Sequence, residues 1–425
     1  MATTFLKKII PVLSGIVLIS VLFFPPIRLS KSLPVIEFID LLLPVLAVFI
    51  FIKRREIEQK KFLYLVLGFA GFIFITIIVN SRLTFMRDYF EILKIIKFLI
   101  VIVLFSFINP ENFLKKWIKP AFVLLVVFNL IHYYNLFNIN ELLEVIYVGN
   151  GRYLEFGLDS LGFPTHKRML GFTANPNSNA LIFLIFTLFF IPKKDSTYSS
   201  FIWFFVALTM MFLCQSRTAM ISLVPVILVY AFTIKDLKKI AVITGFTIVS
   251  FLVAYGTTKI SIASYSGDIM YEGTDSSVAY VKPENTYLEV MAHGQFLKGS
   301  SMRGRYEIWK HLWVMIKEKP IFGHGPNKEY FYDNKLYAEN EYILMAWRYG
   351  FIGLGIYLSI LASLIVLALK NLNLNSAVNL LLICVVVLVT SMTNHPFATK
   401  TVLILFAIAT GLFFSELNAS KKEKK

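Results

Sequence analysis

Residues 53–79 read KRREIEQKKFLYLVLGFAGFIFITIIV, a basic cluster followed by an uncharged, largely apolar run over residues 62–79. A helix rises about 1.5 Å per residue, and the hydrocarbon core of a bilayer is about 30 Å thick. The run is therefore long enough to cross a membrane as a helix. Lysine and arginine beside a span favour the cytoplasmic side, so the cluster also predicts the orientation of this helix.

The rest of the chain has the same character. Of its 425 residues, 57% are hydrophobic and only 16% are charged, whereas soluble domains have about 45–50% apolar and about 25% charged residues. This composition excludes disorder, a collagen-like repeat and a disulfide scaffold, and it predicts an all-α polytopic membrane protein. Cys214 and Cys384 lie in apolar stretches, which argues against a disulfide. We expect the net charge of +16 in loops between the spans.

About twelve stretches meet the length criterion for a transmembrane helix. Their approximate bounds are Ile9–Phe24, Leu33–Ile52, Phe62–Val79, Tyr89–Ile108, Pro120–Leu136, Gly171–Ile191, Ser200–Cys214, Thr218–Phe232, Ile240–Tyr255, Tyr342–Leu369, Ala377–Thr393 and Thr401–Ser415. Basic clusters fall in alternate loops, so we expect both termini in the cytoplasm.

The spans divide the chain into four parts. These are spans one to five with an outer loop (1–170), spans six to nine (171–255), a large periplasmic or extracellular loop (256–341), and spans ten to twelve with a basic cytoplasmic tail (342–425). Within the large loop, residues 303–319 carry apolar side chains at helical spacing and precede Pro320. They predict an amphipathic helix at the membrane surface.

Polar residues gather at the outer ends of the predicted spans. Asn175 and Asn177 open the sixth span, either as helix caps or as ligands of a phosphate or sugar hydroxyl. Arg217 lies in the short turn before the eighth span; it either extends to lipid headgroups or binds an anion. Arg303 and Arg305 begin the amphipathic helix, as a solvated basic face or as guanidinium groups directed at a diphosphate.

A second polar group opens the tenth span. Glu339 and Glu341 flank Asn340 and precede Tyr342. The carboxylates either complement the helix N-terminus, or one acts as a general base whose pKa burial raises. His324, in a Gly-His-Gly-Pro turn, is a further candidate for a substrate contact.

Polar residues within the spans favour a structural explanation. Asp40 in the second span and Lys94 in the fourth lie at similar depths, so we expect an ion pair between these helices. His395, in the last outer turn, is like His324 either a substrate contact or a loop histidine without a role, and no pair of histidines has metal-ligand spacing. The chain has no Walker loop, dinucleotide-binding glycine motif or zinc motif, so no metal site is expected.

The order of these elements resembles the O-antigen ligase and polymerase superfamily, bacterial membrane glycosyltransferases that act on undecaprenyl-diphosphate-linked glycans. The resemblance covers about residues 170–355. It is carried by Asn175–Asn177, by Ser216–Ala219, by Arg305 and Trp309 leading to Gly323 and Gly325, and by Glu339–Ile343 with Gly350 and Gly353.

The resemblance implies a GT-C-type fold and a metal-independent, inverting glycosyltransferase of the bacterial inner membrane, without a cofactor, active on the outer face. Arg217 and Arg305 would bind the diphosphate and stabilise its charge as it leaves, and Glu339 would take the proton of the acceptor hydroxyl. The implied substrate-binding residues are Asn175, Asn177, Arg303, Asn340, Glu341, Tyr342 and His324. The implied partners are the undecaprenyl-diphosphate-linked donor, the glycan acceptor, the lipid bilayer and a chain-length regulator, but no nucleic acid.

Glu339 stands where ligases of the family carry a histidine base, which favours a polymerase of O-antigen or other surface polysaccharide repeat units. An O-antigen ligase with a lipid A-core acceptor is the alternative within the family. A lipid-linked sugar transporter or flippase is an alternative of another class, but the chain shows neither clear mid-bilayer charges nor paired repeats. An assembly protein of the cell envelope is a further alternative.

Overall fold

A computed structural model describes residues 2–25, 27, 36–81, 85–134, 136–139, 142–143, 146, 168–173, 175–193, 198–258, 300–334 and 336–423. Over these residues the protein is helical, with no strand beyond an isolated antiparallel bridge between Ile27 and Ile36. The prediction of an all-helical membrane protein is confirmed. The middle of the large loop, residues 259–299, lies outside the described residues.

Fifteen α-helices occur in the described part of the chain. They are α1 (Ala2–Phe23), α2 (Phe38–Lys53), α3 (Lys60–Val79), α4 (Met86–Phe105), α5 (Pro110–Phe113), α6 (Lys119–Tyr133), α7 (Pro176–Phe189), α8 (Tyr198–Leu213), α9 (Arg217–Ile234), α10 (Leu237–Thr258), α11 (Ser300–Glu318), α12 (Lys328–Asp333), α13 (Glu341–Leu369), α14 (Asn375–Thr390) and α15 (Lys400–Glu423). Each of the twelve predicted spans overlaps one of these helices.

Five of the described helices, α3, α9, α10, α13 and α15, are long and apolar enough to cross a membrane. Shorter apolar helices include α7, α14 and most of α1 and α8. The count of twelve spans therefore stays a prediction, while the membrane character of the protein is clear.

The last helix, α15, forms the centre of the bundle. It packs against α1, α4, α7 and α14, and its residues from Val402 to Phe414 are buried. Gly411 permits the close approach to α4, since a Cβ there would lie 2.5 Å from the Cβ of Phe105. By contrast, α10 leaves Ile248 and Leu252 exposed, as expected for a helix that faces lipid.

Partly buried ion pairs join the start of α2 to α4 and α15. Lys97 Nζ lies 2.7 Å from Glu37 Oε2 and 2.5 Å from Asp40 Oδ1, and Lys400 Nζ lies 3.5 Å from Glu37 Oε1. The predicted ion pair between the second and fourth spans is therefore present. The partner of Asp40 is Lys97, however, and the prediction of Lys94 was wrong. Side chains on a helix lean toward its N-terminus, so the long side chain of Lys97 reaches back to Asp40.

The amphipathic helix of the large loop is confirmed as α11, which ends before Pro320. Its buried residues, Leu312 and Ile316, pack against α13 in a cluster that includes Trp347. Tyr306 and Trp313 are exposed. The buried face of α11 thus packs on α13, and its position at the membrane surface stays a prediction.

Candidate active site

The loop between α14 and α15, residues 391–399, is the point where the predicted motifs meet, and we call it the junction loop. The starts of α7, α9 and α13 each bond to it, from residues as far as 221 positions away in sequence. The contacts join Ser178 Oγ to Thr399 Oγ1 (2.5 Å), Thr218 Oγ1 to Thr393 Oγ1 (2.9 Å), Asn340 Nδ2 to the Met392 carbonyl (3.0 Å) and Glu341 N to the Ser391 carbonyl (2.8 Å).

Two of the predicted substrate-binding asparagines are helix caps. Asn175 Oδ1 accepts hydrogen bonds from the backbone N–H groups of Asn177 (2.9 Å) and Ser178 (3.2 Å) at the start of α7. Asn340 Oδ1 accepts one from Ile343 N (3.1 Å) at the start of α13. The capping interpretation therefore accounts for both side chains as they stand here.

Arg168 makes structural contacts that the sequence analysis did not predict. Its Nη2 donates to Asn177 Oδ1 (3.1 Å) and to the Gln215 carbonyl (3.2 Å), and its Nε donates to the Cys214 carbonyl (3.3 Å). The guanidinium thus ties the start of α7 to the turn before α9. Its position just before the Asn-Pro-Asn element was the one available signal.

Arg217 is the first residue of α9 and is partly buried. The preceding turn is tight because Gln215 adopts a left-handed conformation with φ +51°, and Ser216 Oγ caps the helix by accepting from Ala219 N (3.5 Å). The next residue, Thr218, contacts the junction loop. Arg217, which we predicted to bind the diphosphate, is therefore held at the edge of the junction loop.

The two other predicted catalytic residues contact each other. Arg305 Nη2 on α11 forms an ion pair with Glu339 Oε2 in the segment that leads into α13. Glu339 has φ +43°, a left-handed conformation that side chains rarely adopt. The indole N–H of Trp309 donates to the Ala338 carbonyl and fixes the same segment. The side chain of Arg303 lies outside the described residues.

A cavity of about 570 Å³ opens beside the junction loop, within the size range of small-molecule sites. We call it the basic cavity because its charged wall residues, besides His395, comprise six basic and three acidic side chains. They are Arg87, Lys94, Lys97, Lys328, Arg348 and Lys400, with Asp40, Glu91 and Glu341. Among the predicted site residues, Glu341 lines this cavity, whereas Arg217, Arg305 and Glu339 lie outside its wall.

Glu341 and His395 form a buried pair in this wall. His395 Nδ1 lies 3.1 Å from Glu341 Oε2, and the exposed fractions of the two side chains are 14% and 3%. Because the carboxylate accepts from a protonated Nδ1, Nε2 is left as an acceptor in the neutral imidazole. The neighbouring Tyr342 donates its hydroxyl to the Leu388 carbonyl (2.6 Å) and joins α13 to α14.

His324 is buried in the turn between α11 and α12. Its backbone N–H donates to the Trp347 carbonyl (2.9 Å), its Nε2 lies 2.9 Å from the Met315 carbonyl, and its ring stacks on Trp347. Burial lowers the pKa of His324 below its usual value. His324, which we predicted to contact the substrate, therefore takes part in the packing of α11 on α13.

No group of three or more His, Cys, Asp or Glu side chains among the described residues is arranged to hold a metal ion. The geometry instead offers three arginines, Arg217, Arg305 and Arg348, and the carboxylates Glu339 and Glu341. These groups suit the binding of an anionic substrate and proton transfer from a hydroxyl.

A scan against protein-family models matches residues 202–358 to the O-antigen ligase family. No match was found among curated proteins. The matched segment begins in α8 and ends in α13, so it includes Arg217, the ion pair of Arg305 with Glu339, and Glu341. This match supports the resemblance of the chain to the O-antigen ligase and polymerase superfamily that was seen in the sequence.

Proposed function

We propose that the protein transfers a glycan from undecaprenyl diphosphate to an acceptor sugar hydroxyl and thereby polymerises O-antigen or other surface polysaccharide repeat units. One observation carries the proposal. Arg217 and Glu341 lie at the starts of two helices that bond to the junction loop, and Arg305 on α11 pairs with Glu339 just before one of them, all within the segment that matches the family.

In the proposed reaction, Arg217 and Arg305 bind the diphosphate. The acceptor oxygen attacks the anomeric carbon from the opposite side, so the new glycosidic bond forms as the bond to the phosphate oxygen breaks. The configuration inverts, and polyprenyl diphosphate leaves with its charge stabilised by the two guanidinium groups and without a metal ion. Glu339 accepts the proton of the hydroxyl.

The ion pair between Arg305 and Glu339 fits this scheme as a resting state. While Arg305 holds Glu339, the guanidinium occupies the carboxylate oxygen that would otherwise accept the proton of the acceptor hydroxyl. A diphosphate is a stronger partner for a guanidinium. Its arrival would turn Arg305 away and release Glu339 when the donor is in place.

The proposal includes the cellular setting. We propose twelve spans in a GT-C-type arrangement in the bacterial inner membrane, with both termini in the cytoplasm and the junction loop on the periplasmic face. Basic clusters lie at the opposite ends of the helices, for example at residues 53–61 and 421–425, which supports this orientation. Asn175, Asn177, Arg303, Asn340, Tyr342 and His324 are proposed to shape the substrate site, and a chain-length regulator is a proposed partner.

An O-antigen ligase is the second candidate, because the matching family model carries that description. In that case the acceptor is a lipid A-core sugar and each acceptor receives one glycan. The presence of Glu339 where ligases of the family carry a histidine favours the polymerase.

A reconstituted reaction tests the proposal. The purified protein in liposomes is incubated with undecaprenyl-diphosphate-linked repeat units, with or without lipid A-core, and the products are separated by size. A ladder of glycans supports the polymerase, and a single transfer that needs lipid A-core supports the ligase. No product from folded protein with either acceptor contradicts both, and Arg217→Ala provides the inactive control.

A further inference from the structure

Arg348 on α13 is a buried cation that the proposed reaction does not use. Only 7% of the residue is exposed, and its guanidinium lines the basic cavity. Its Nε is buried and has no hydrogen-bond partner among the described residues, and its charge interacts with that of Glu91, which Lys328 contacts directly. Its guanidinium carbon lies 5.1 Å from the centre of the Phe331 ring. A buried charge of this kind is costly unless an anion accompanies it.

The backbone holds Arg348 in place. Gly350 has φ +64° and interrupts α13 two residues later, and a Cβ on Gly323 would lie 2.5 Å from the carbonyl oxygen of Arg348. On the far side of this break, Phe351 N donates to the Pro320 carbonyl (2.7 Å). Such a locked segment presents the guanidinium at a fixed position, which is what recognition of a planar anion requires.

Two of the three acidic residues in the cavity wall, Asp40 and Glu91, contact lysines, and the third, Glu341, contacts His395. Lys97 contacts Glu37 and Asp40, and Lys328 Nζ lies 2.8 Å from Glu91 Oε1. These pairs neutralise one another inside the protein. Arg348 therefore contributes positive charge to the cavity without an acid within ion-pair distance among the described residues.

His395 adds a second polar group to the same cavity. Its Nδ1 is held by Glu341, while its buried Nε2 has no hydrogen-bond partner among the described residues. Glu341 and Arg348 are seven residues apart on α13, so they share a helix face about 10 Å apart. The cavity thus has a fixed cation near one end and a fixed imidazole near the other.

We propose that the basic cavity binds an anionic group of the acceptor glycan, a sugar carboxylate or a phosphate, through the guanidinium of Arg348, with His395 Nε2 contacting the same sugar. This inference rests on the proposed function, in which Arg217 and Arg305 already serve the diphosphate of the donor. The cavity would select acceptors that carry a negative charge close to the reacting hydroxyl.

Binding of matched sugars to the full-length protein in nanodiscs tests the proposal. The probes are glucuronate, glucose 6-phosphate and neutral glucose, measured by isothermal titration calorimetry with and without saturating undecaprenyl diphosphate. We expect either glucuronate or glucose 6-phosphate to bind, and we expect neutral glucose not to bind. The charged sugar that binds identifies carboxylate or phosphate as the preferred anion.

Arg348→Gln should weaken binding of the charged sugar about 10- to 100-fold, the usual loss for a hydrogen bond to a charged group. Arg348→Lys should retain part of it, and Lys115→Gln, a change on an exposed lysine paired with Glu111, should retain all of it. His395→Gln is a second variant, and it should weaken the same probe if Arg348→Gln does not fold.

Equal binding in wild type, Arg348→Gln and His395→Gln would overturn the proposal. Complete blocking of the charged sugar by undecaprenyl diphosphate would also overturn it, because the cavity would then belong to the donor. The outcome is independent of turnover: if the reconstituted reaction gives no product, the proposed function fails, while the binding measurement still reports on the cavity.

Discussion

Gly350 is the residue whose replacement connects the fold most directly to the cavity. It has φ +64° and ψ −173°, a region that residues other than glycine essentially avoid, at a cost of about 1–3 kcal/mol. A Cβ there would lie 2.1 Å from the Ile321 carbonyl oxygen and 2.7 Å from that of Pro320. The backbone would have to shift. This shift would weaken or break the hydrogen bond from Phe351 N to the Pro320 carbonyl, which contributes about 1 kcal/mol.

We therefore expect Gly350→Ala to lower the free energy of unfolding by about 2–4 kcal/mol from strain and the lost bond together. The variant should also lose glycan transfer, because Arg348 and the α11–α13 contact move with the break in the helix. Unfolding is followed in detergent by tryptophan fluorescence, and transfer is measured in liposomes.

Gly355→Ala is the matched control on the same helix, since a Cβ there meets nothing within 4 Å. Alanine in a helix is about 1 kcal/mol more favourable than glycine, so this variant should be as stable as wild type or slightly more so. Equal stability of Gly350→Ala and Gly355→Ala would refute the assignment of a locked break at Gly350.

Three further predictions follow from the ion pairs. Arg217→Ala or Arg305→Ala should abolish chain growth while the protein still inserts, and a normal glycan length distribution in either variant would remove the diphosphate role. Glu339→Gln should be inactive in the liposome assay and Glu339→His partly active; unchanged transfer by Glu339→Gln would exclude it as the base. Lys97→Met should reduce the free energy of unfolding by about 1–3 kcal/mol because it leaves the partly buried carboxylate of Asp40 without its partner and Glu37 with Lys400 alone, whereas Lys115→Met should leave thermal unfolding unchanged; equal effects would contradict the role of Lys97 in these pairs.

The sequence predicted the helices well because their signal is local. An uncharged run of bilayer length identifies a helix whatever its neighbours, and each predicted span overlaps a helix of the structure. The partner of Asp40 was harder to predict, because the direction in which a lysine side chain leans decides between Lys94 and Lys97. The break in α13 was missed because the hydropathy pattern passes through Gly350 unchanged.

The sequence singled out residues of the candidate site but not the contacts between them. The motif residues Arg217, Arg305 and Glu339 stand out by charge beside apolar stretches. That Arg305 contacts Glu339, or that His395 meets Glu341, depends on contacts between distant segments. Arg348 also escaped notice, because its burial and its place in the cavity follow from packing rather than from sequence spacing.

A structure of the protein with undecaprenyl diphosphate bound would test the central claim most directly. We predict that the diphosphate lies at the start of α9 within hydrogen-bond distance of the guanidinium groups of Arg217 and Arg305, and that Arg305 no longer contacts Glu339. A diphosphate bound elsewhere, with the pair of Arg305 and Glu339 intact, would contradict the account.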